Sequence, residues 1–252
     1  MPPVKPLGCK AYSHIPHLPG SQKNAGSDYG YDEKAARFFL NYAGKDSVIW
    51  LLRKMDGSSV SVANIRGDIL PLIRSGYLAQ DSIYEQHHMF ALWVYNNMEL
   101  FEDIPEDSRL CGEWLAQAHG TRYDLKDRYP FVAFDFIQGQ HDRLPYDRVI
   151  NYCKQHGGPA YAPVLGIHLD GTGFSIKEAL DLLDTTGFYG EIDIAEGCVW
   201  RWERFGCSTD FKHKPIQLAK YIRPEKKIGF YLGDTIDGRL VDKKEPVWNW
   251  RG

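Results

Sequence analysis

Val48-Ile49-Trp50-Leu51-Leu52-Arg53-Lys54-Met55-Asp56-Gly57-Ser58-Ser59-Val60-Ser61-Val62-Ala63 decides how this chain is read. Two apolar runs rich in β-branched residues flank an Asp-Gly pair, which on local grounds is what an ordinary β-hairpin requires. The same stretch puts Lys54 where a strand enters its turn, and a lysine there is a candidate covalent nucleophile if further polar clusters follow. Working outward, Ser47 to Arg53, Ser58 to Ile65 and Asp68 to Arg74 read as three strands of a meander, broken at Asp56-Gly57 and Arg66-Gly67-Asp68. The second break also spells an adhesion tripeptide, which a tight turn explains better in a chain without a secretory leader.

Residues 1–30, rich in Pro, Gly, Ser and Asn, read as an irregular arm that packs through Tyr12, Ile15 and Leu18, ahead of one domain over 31–252. Asp32-Glu33 opens a short helix between Tyr31 and Tyr42, and apolar residues at helical spacing predict another over Asp81 to Phe101. His87 and His88 within it are neighbours about 100° apart on a helix, so they do not chelate one metal and read as structural. Strands are predicted at Arg109 to Trp114 and Pro130 to Ile137, and helices at Tyr146 to Gln155 and Ile176 to Asp184, the latter two in a helical insert at about 145–186. The Gly-rich run Leu165 to Gly173 in that insert reads as a loop without the strand, lysine and helix of a phosphate loop. Glu191-Ile192-Asp193-Ile194-Ala195-Glu196 alternates like a half-buried strand that Val199 to Arg201 continue. Strands and helices mix without regular βαβ alternation, which predicts an α+β fold of antiparallel sheets flanked by helices.

The chain of 252 residues is long enough to bury a substantial core. It has no apolar run of about 18 residues, so neither a membrane span nor export is expected and the cytoplasm is the expected location. Its five cysteines are scattered without a Cys-x-x-Cys pair, so no zinc site or redox couple is expected. The net charge of −3 argues against a protein that coats nucleic acid with a generally basic surface. A local basic groove remains open through Lys212, Lys214, Lys220, Arg223, Lys226 and Lys227, of which Lys226 and Lys227 read equally well as a solvated surface. Nothing in the sequence gives the oligomeric state.

After Lys54-Met55-Asp56-Gly57 come Arg74-Ser75-Gly76, Cys111-Gly112-Glu113-Trp114, Phe131-Val132-Ala133-Phe134-Asp135, Glu196-Gly197-Cys198-Val199 and Lys212-His213-Lys214, in that order. The series resembles the motifs of the covalent nucleotidyltransferases, which include ATP-dependent RNA and DNA ligases and capping guanylyltransferases, and within them most resembles the RNA ligases. Ala11 to Ser21 and Gly112 to Tyr123 look like small stand-alone RNA ligase-like proteins of bacteria and phages. The resemblance implies an ATP-grasp-like nucleotidyltransferase fold and nucleic-acid ends as substrate, with RNA favoured and DNA possible. Lys54 would attack the α-phosphate of ATP and carry lysyl-AMP, while Lys212 and Lys214 would contact the phosphates and help expel pyrophosphate. Glu196 would help hold Mg²⁺ or Mn²⁺, Glu113 would sit at the ribose, Phe131 would stack on the purine with Phe134 in the core, and Arg74 would touch nucleotide or nucleic-acid phosphate.

Two positions depart from the pattern. Ser59 stands where Arg or Asn is common, which puts substrate contacts there in doubt, and basic Arg53 precedes the nucleophile, where period-two alternation turns it away. The stretch after Lys214 is too short for an appended oligonucleotide-binding barrel, which disfavours DNA-ligase and capping-enzyme readings. The remaining alternatives are a DNA or mixed-strand ligase, a capping-type guanylyltransferase, and a protein that binds nucleic-acid ends without catalysis.

Overall fold

The computed structural model describes residues 4–23, 29–155, 157–186, 189–204, 216–233, 235–236, 239–240 and 244–251. Its elements in chain order are α1 (Glu33–Leu40), β1 (Ser47–Lys54), β2 (Ser58–Ile65), β3 (Asp68–Ile73), α2 (Glu85–Asn96), β4 (Ser108–Trp114), β5 (Phe131–Gln138), β6 (Asp142–Arg143), α3 (Tyr146–Gln155), β7 (Ala160–Tyr161), β8 (Val164–His168), α4 (Ile176–Thr185), β9 (Gly197–Arg204), β10 (Ile216–Ile222), β11 (Thr235–Ile236) and β12 (Arg239–Leu240). The fold is mixed α+β, built on antiparallel sheets with few helices. Among the described residues no helix is long and apolar enough to cross a membrane.

Contacts gather into two compact units, one of Met1–Ser13, Asp56–Tyr161 and Gly229–Gly252, the other of His14–Met55 and Ala162–Ile228. The opening stretch therefore divides between Met55 and Asp56. β1 joins a four-stranded sheet of order β10-β9-β1-β8, whereas β2 joins another of order β3-β2-β4-β5-β6, with β7 beside β5. The expected hairpin at Asp56-Gly57 does not form. Neither residue has the positive φ that the favoured two-residue hairpin turns require, whereas Arg66 and Gly67 both do (57° and 87°) and close the β2–β3 hairpin.

In the four-stranded sheet, Ile49, Leu51, Cys198, Trp200, Trp202, Ala219 and Tyr221 share one face. That face packs against Ala36 and Phe39 of α1 and Ala179 and Leu183 of α4. Asp32 caps α1, its carboxylate accepting the Ala35 N–H at 2.7 Å. The arm runs along the open edge of β10, where the Leu18 N–H donates to the Lys220 carbonyl and the Lys220 N–H to the Pro16 carbonyl.

In the six-stranded sheet, α2 covers one face, where Phe90 and Trp93 meet Trp114 and Phe131. α3 packs Tyr152 on Phe136. On the opposite face Tyr12 donates to Asp135 and Arg109 reaches the Ala11 carbonyl.

Two sequence expectations change. Residues 191–196 are not a strand, and Ile192 and Ile194 are 58% and 44% exposed, so the apolar members of the alternation point outward; β9 begins only at Gly197. The insert at about 145–186 is not purely helical, because Val164–His168 of its Gly-rich run is β8, paired with β1.

Candidate active site

Lys54 is the last residue of β1, and the register places it opposite Gly197, which in turn lies opposite Ile222. Residues opposite one another in an antiparallel ladder point to one face, so Lys54, Val199 and Lys220 all project from the side away from the aromatic core. Lys54 Nζ donates to Glu196 Oε2 at 2.5 Å, with 20% of the lysine side chain and 6% of the glutamate side chain exposed. Glu196 reaches it because β9 starts at the next residue. Gly197 also has a packing duty, since a Cβ there would lie 1.9 Å from the Tyr221 carbonyl oxygen. Arg53 faces the other way: its guanidinium pairs with Glu191 at 3.0 Å and donates to the carbonyls of Leu183 and Thr186. It is a buried structural cation rather than a neighbour on the Lys54 side.

Asp56 and Gly57 are held by the segment that follows β4. The Asp56 carboxylate accepts from the Gly120 N–H and the Thr121 hydroxyl at 3.1 and 2.9 Å, and the Asp56 N–H donates to the Tyr123 hydroxyl. Gly57 donates its N–H to Glu113 Oε1 at 3.1 Å, and a Cβ on Gly57 would lie 2.4 Å from the Trp114 carbonyl oxygen. Gly112 to Tyr123 thus cradles the Asp-Gly pair, a role for Gly120, Thr121 and Tyr123 that residue-type reasoning missed. A run of small and hydroxylated residues after a strand was the available signal. On the α2 side, Ser58 bonds His87 Nε2 at 2.7 Å while Ser82 bonds Nδ1 at 2.6 Å. Burial first, then the neighbouring His119 and His88, push the His87 pKa down to about 4, so the ring is neutral at physiological pH.

Glu113 shares its sheet face with Ser59, opposite it on β2, and with Val132, opposite it on β5. Arg74 extends the row beyond Ser59, to which it is joined by its N–H. Among the described residues the Arg74 Nε and the Ser59 Oγ are both buried without a hydrogen-bond partner. A bulge between Cys111 and Gly112 shifts the register with β5. Phe131 pairs with Trp114 and is fully buried among Phe90, Trp93 and Phe101. It has no face to offer a purine. Phe134 is only half-buried, with its ring edge on Tyr12 at 4.9 Å on the Glu113 side. Phe131 is thus the core residue and Phe134 the one partly open on the Glu113 side, the reverse of the expected burial.

Lys212 and Lys214 lie outside the described residues. Of the other basic candidates, Lys220 is half-buried on the Lys54 face. Arg223 and Lys226 are 3% and 2% exposed, with Arg223 paired to Asp184 and Lys226 donating to the Ile194 carbonyl. Only Lys227 of the outer pair is exposed. Among the described residues no group of three His, Cys, Asp or Glu side chains could hold a metal ion. Glu196 offers a single carboxylate, which suits an ion that keeps several waters and completes its shell with phosphate oxygens.

The fold thus carries a lysine on a carboxylate in one antiparallel sheet and a Glu-Arg row in the other. A family model for RNA ligase matches residues 47–222, and the chain belongs to that family. Among solved structures it is similar to a mutant Naegleria gruberi RNA ligase with ATP and Mn (14% identity, TM-score 0.51, covering 85% of this chain and 61% of that one). Another is an archaeal ATP-dependent RNA ligase (17% identity, TM-score 0.48, covering 76% and 45%). At such identities the likeness is one of fold. A curated relative, an uncharacterized protein of Methanocaldococcus jannaschii, is 24% identical over 147 residues, or 55% of this chain and 35% of that protein. The chain thus spans about a third of that relative's length.

Proposed function

We propose that the chain is an ATP-dependent RNA ligase that joins 5′-phosphate and 3′-hydroxyl ends through a lysyl-AMP intermediate. The observation that carries this is the Lys54 amine on the Glu196 carboxylate at 2.5 Å, at the start of the Asp56-Gly57 turn. In the first step the Lys54 amine attacks the α-phosphorus, an N–P bond forms, the bond to the bridging oxygen breaks and pyrophosphate leaves. The amine must shed a proton, and Glu196, which accepts its hydrogen bond, is within reach to take it. Lys220, on the same sheet face, is placed to offset charge on the phosphates, joined in this proposal by Lys212 and Lys214. A divalent cation, Mg²⁺ or Mn²⁺, held through Glu196 would neutralise charge on the phosphoryl oxygens.

Glu113 would accept hydrogen bonds from ribose hydroxyls, and Phe134 would stack on the base in place of Phe131. Arg74 and Ser59, whose buried Nε and Oγ have no partner among the described residues, would donate to phosphate or ribose oxygens. A 5′-phosphate oxygen of the nucleic acid then attacks the phosphorus of lysyl-AMP, releasing Lys54. In the last step the 3′-hydroxyl attacks the adenylylated end and expels AMP.

The test is incubation with ATP or GTP labelled at the α-phosphate, with Mg²⁺ or Mn²⁺, followed by denaturation and mass mapping. AMP on Lys54, transferred afterwards to 5′-phosphorylated RNA, supports the reading. No adduct with either nucleotide refutes it.

A further inference from the structure

We propose a second nucleic-acid subsite, resting on the ligase reading: a cleft on the α2 side of the six-stranded sheet that holds a single-stranded stretch of the substrate away from its reacting end. Trp114 and Glu113 alternate along β4, so the cleft, built on the Trp114 side, lies across the sheet from the Glu113 row. It measures about 460 Å³ and lies between the C-terminal half of α2, the segment 126–129 and the C-terminal residues 250–251.

The outer face of α2 mixes exposed Glu85, His88 and Asn96 with large apolar and aromatic side chains. Phe90, Ala91, Trp93 and Val94 are buried, yet Leu92 and Tyr95 are 62% and 43% exposed. Tyr129, 39% exposed, stands edge-on to Trp93 at 5.6 Å, and half-buried Trp250 stands edge-on to Trp114 at 5.6 Å. These rings are fixed in place. Residues 247–250 are tied to the loop after β4 by backbone bonds from Ala118 to Val247 and from Asn249 and Trp250 to Ala116.

Three cations, Lys126, Arg128 and Arg251, line the cleft against one carboxylate, Asp127, with Asp124 3.8 Å from the Lys126 amine, in a chain whose net charge is −3. The Arg251 guanidinium also lies 5.8 Å from the centre of the Trp248 ring. Rigid aromatic rings beside a local excess of cations are what a single strand uses, bases stacking while phosphates meet Lys and Arg. A protein partner would need about 800 Å² of each surface, whereas this concavity is on the scale of a small-molecule site, roughly 300–1,000 Å³. Such a site would grip the strand irrespective of sequence.

The test uses a fluorescein-labelled single-stranded RNA of about twelve nucleotides, within the usual span of one such module, and reads anisotropy across a salt series. The paired reversal Arg128→Glu/Arg251→Glu changes exposed groups, and circular dichroism checks its fold. It should weaken RNA binding at least about tenfold and flatten the salt dependence by about two units, one for each lost phosphate contact. Label on Lys54 from ATP should stay at the wild-type level. Tyr129→Leu should weaken binding severalfold without changing the salt dependence. RNA affinity of the paired variant within about twofold of wild type overturns the cleft assignment, on the same affinity scale. So does unchanged RNA binding accompanied by lost binding of a poly-glutamate peptide. If wild-type Lys54 takes no label while the reversal still costs RNA binding, the cleft stands and the ligase reading falls.

Discussion

Lowering the pH from 7.5 to 4.5 should destabilise the protein through His87 by an amount that one substitution can isolate. The ring is buried between the hydroxyls of Ser58 and Ser82, and its pKa is pushed down to about 4 by burial, then by His119 and His88. An unfolded histidine titrates near 6.5. Above that value both states are neutral and the residue contributes no pH dependence. Between about 6.5 and about 4 the unfolded chain takes up a proton that the folded chain excludes, so stability falls as pH falls. Each pH unit in that window is worth about 1.36 kcal/mol, and the two units down to pH 4.5 bring the loss to about 2.7 kcal/mol at most. That is a large share of a typical stability of roughly 5–15 kcal/mol. The assay is urea unfolding at pH 7.5 and 4.5, followed by tryptophan fluorescence, for wild type and His87→Gln. Glutamine can serve both serines and does not titrate, so the wild type should lose about 2–3 kcal/mol more than the variant between the two pH values. Equal losses would show that His87 is not held neutral by its surroundings.

Lys54→Ala should abolish the nucleotide adduct while the circular dichroism stays that of a folded chain, because the side chain lies at a strand end on the face away from the aromatic core, although the Glu196 carboxylate it leaves should lower the melting temperature; an unfolded variant would contradict its placement. Gly57→Ala should destabilise by about 1–3 kcal/mol and depress adduct formation, since the new Cβ meets the Trp114 carbonyl; thermal melting and label incorporation read the two effects. Arg53→Met strands the Glu191 carboxylate and should cost roughly 3–5 kcal/mol in urea unfolding, much of it recovered by adding Glu191→Leu. Phe131→Leu should lower stability by about 1–3 kcal/mol at unchanged ATP KM, while Phe134→Leu should raise KM with little loss of stability.

Elements governed by local periodicity were legible in the sequence. α1 starts behind an Asp32 cap, α3 and α4 follow amphipathic spacing, and β2–β3 turn at Arg66-Gly67. What misled was chemistry decided by distant partners. Asp56-Gly57 has the composition of a hairpin turn, but its polar groups are taken by Glu113, Gly120, Thr121 and Tyr123, so the chain leaves one sheet for another. The alternation at 191–196 suggested a strand, yet Glu191 is drawn to buried Arg53 and Lys226 takes the Ile194 carbonyl. Phe131 and Phe134 fall on opposite faces of β5 by alternation, but residue type does not tell which face α2 covers with Phe90 and Trp93. In the candidate site, the nearness of Lys54 and Glu196 was implied by resemblance, but Lys220 as their companion on the sheet face depends on the β9–β10 register, which no local pattern encodes.

The division of the chain between Met55 and Asp56 has a consequence for biosynthesis. The long central segment Asp56–Tyr161 carries β2 to β5 with α2 and α3, and these elements can begin to pair as soon as they leave the ribosome. β1 cannot do the same. Its partners β8 and β9 are made only after that segment is complete, so the strand that carries Lys54 waits unpaired while its neighbours in sequence settle. An apolar run such as Val48 to Leu52 left in that state is an open edge for aggregation, and slow translation through the central segment would lengthen its exposure. The residue proposed to do the chemistry would then be made before the central segment and secured only after it.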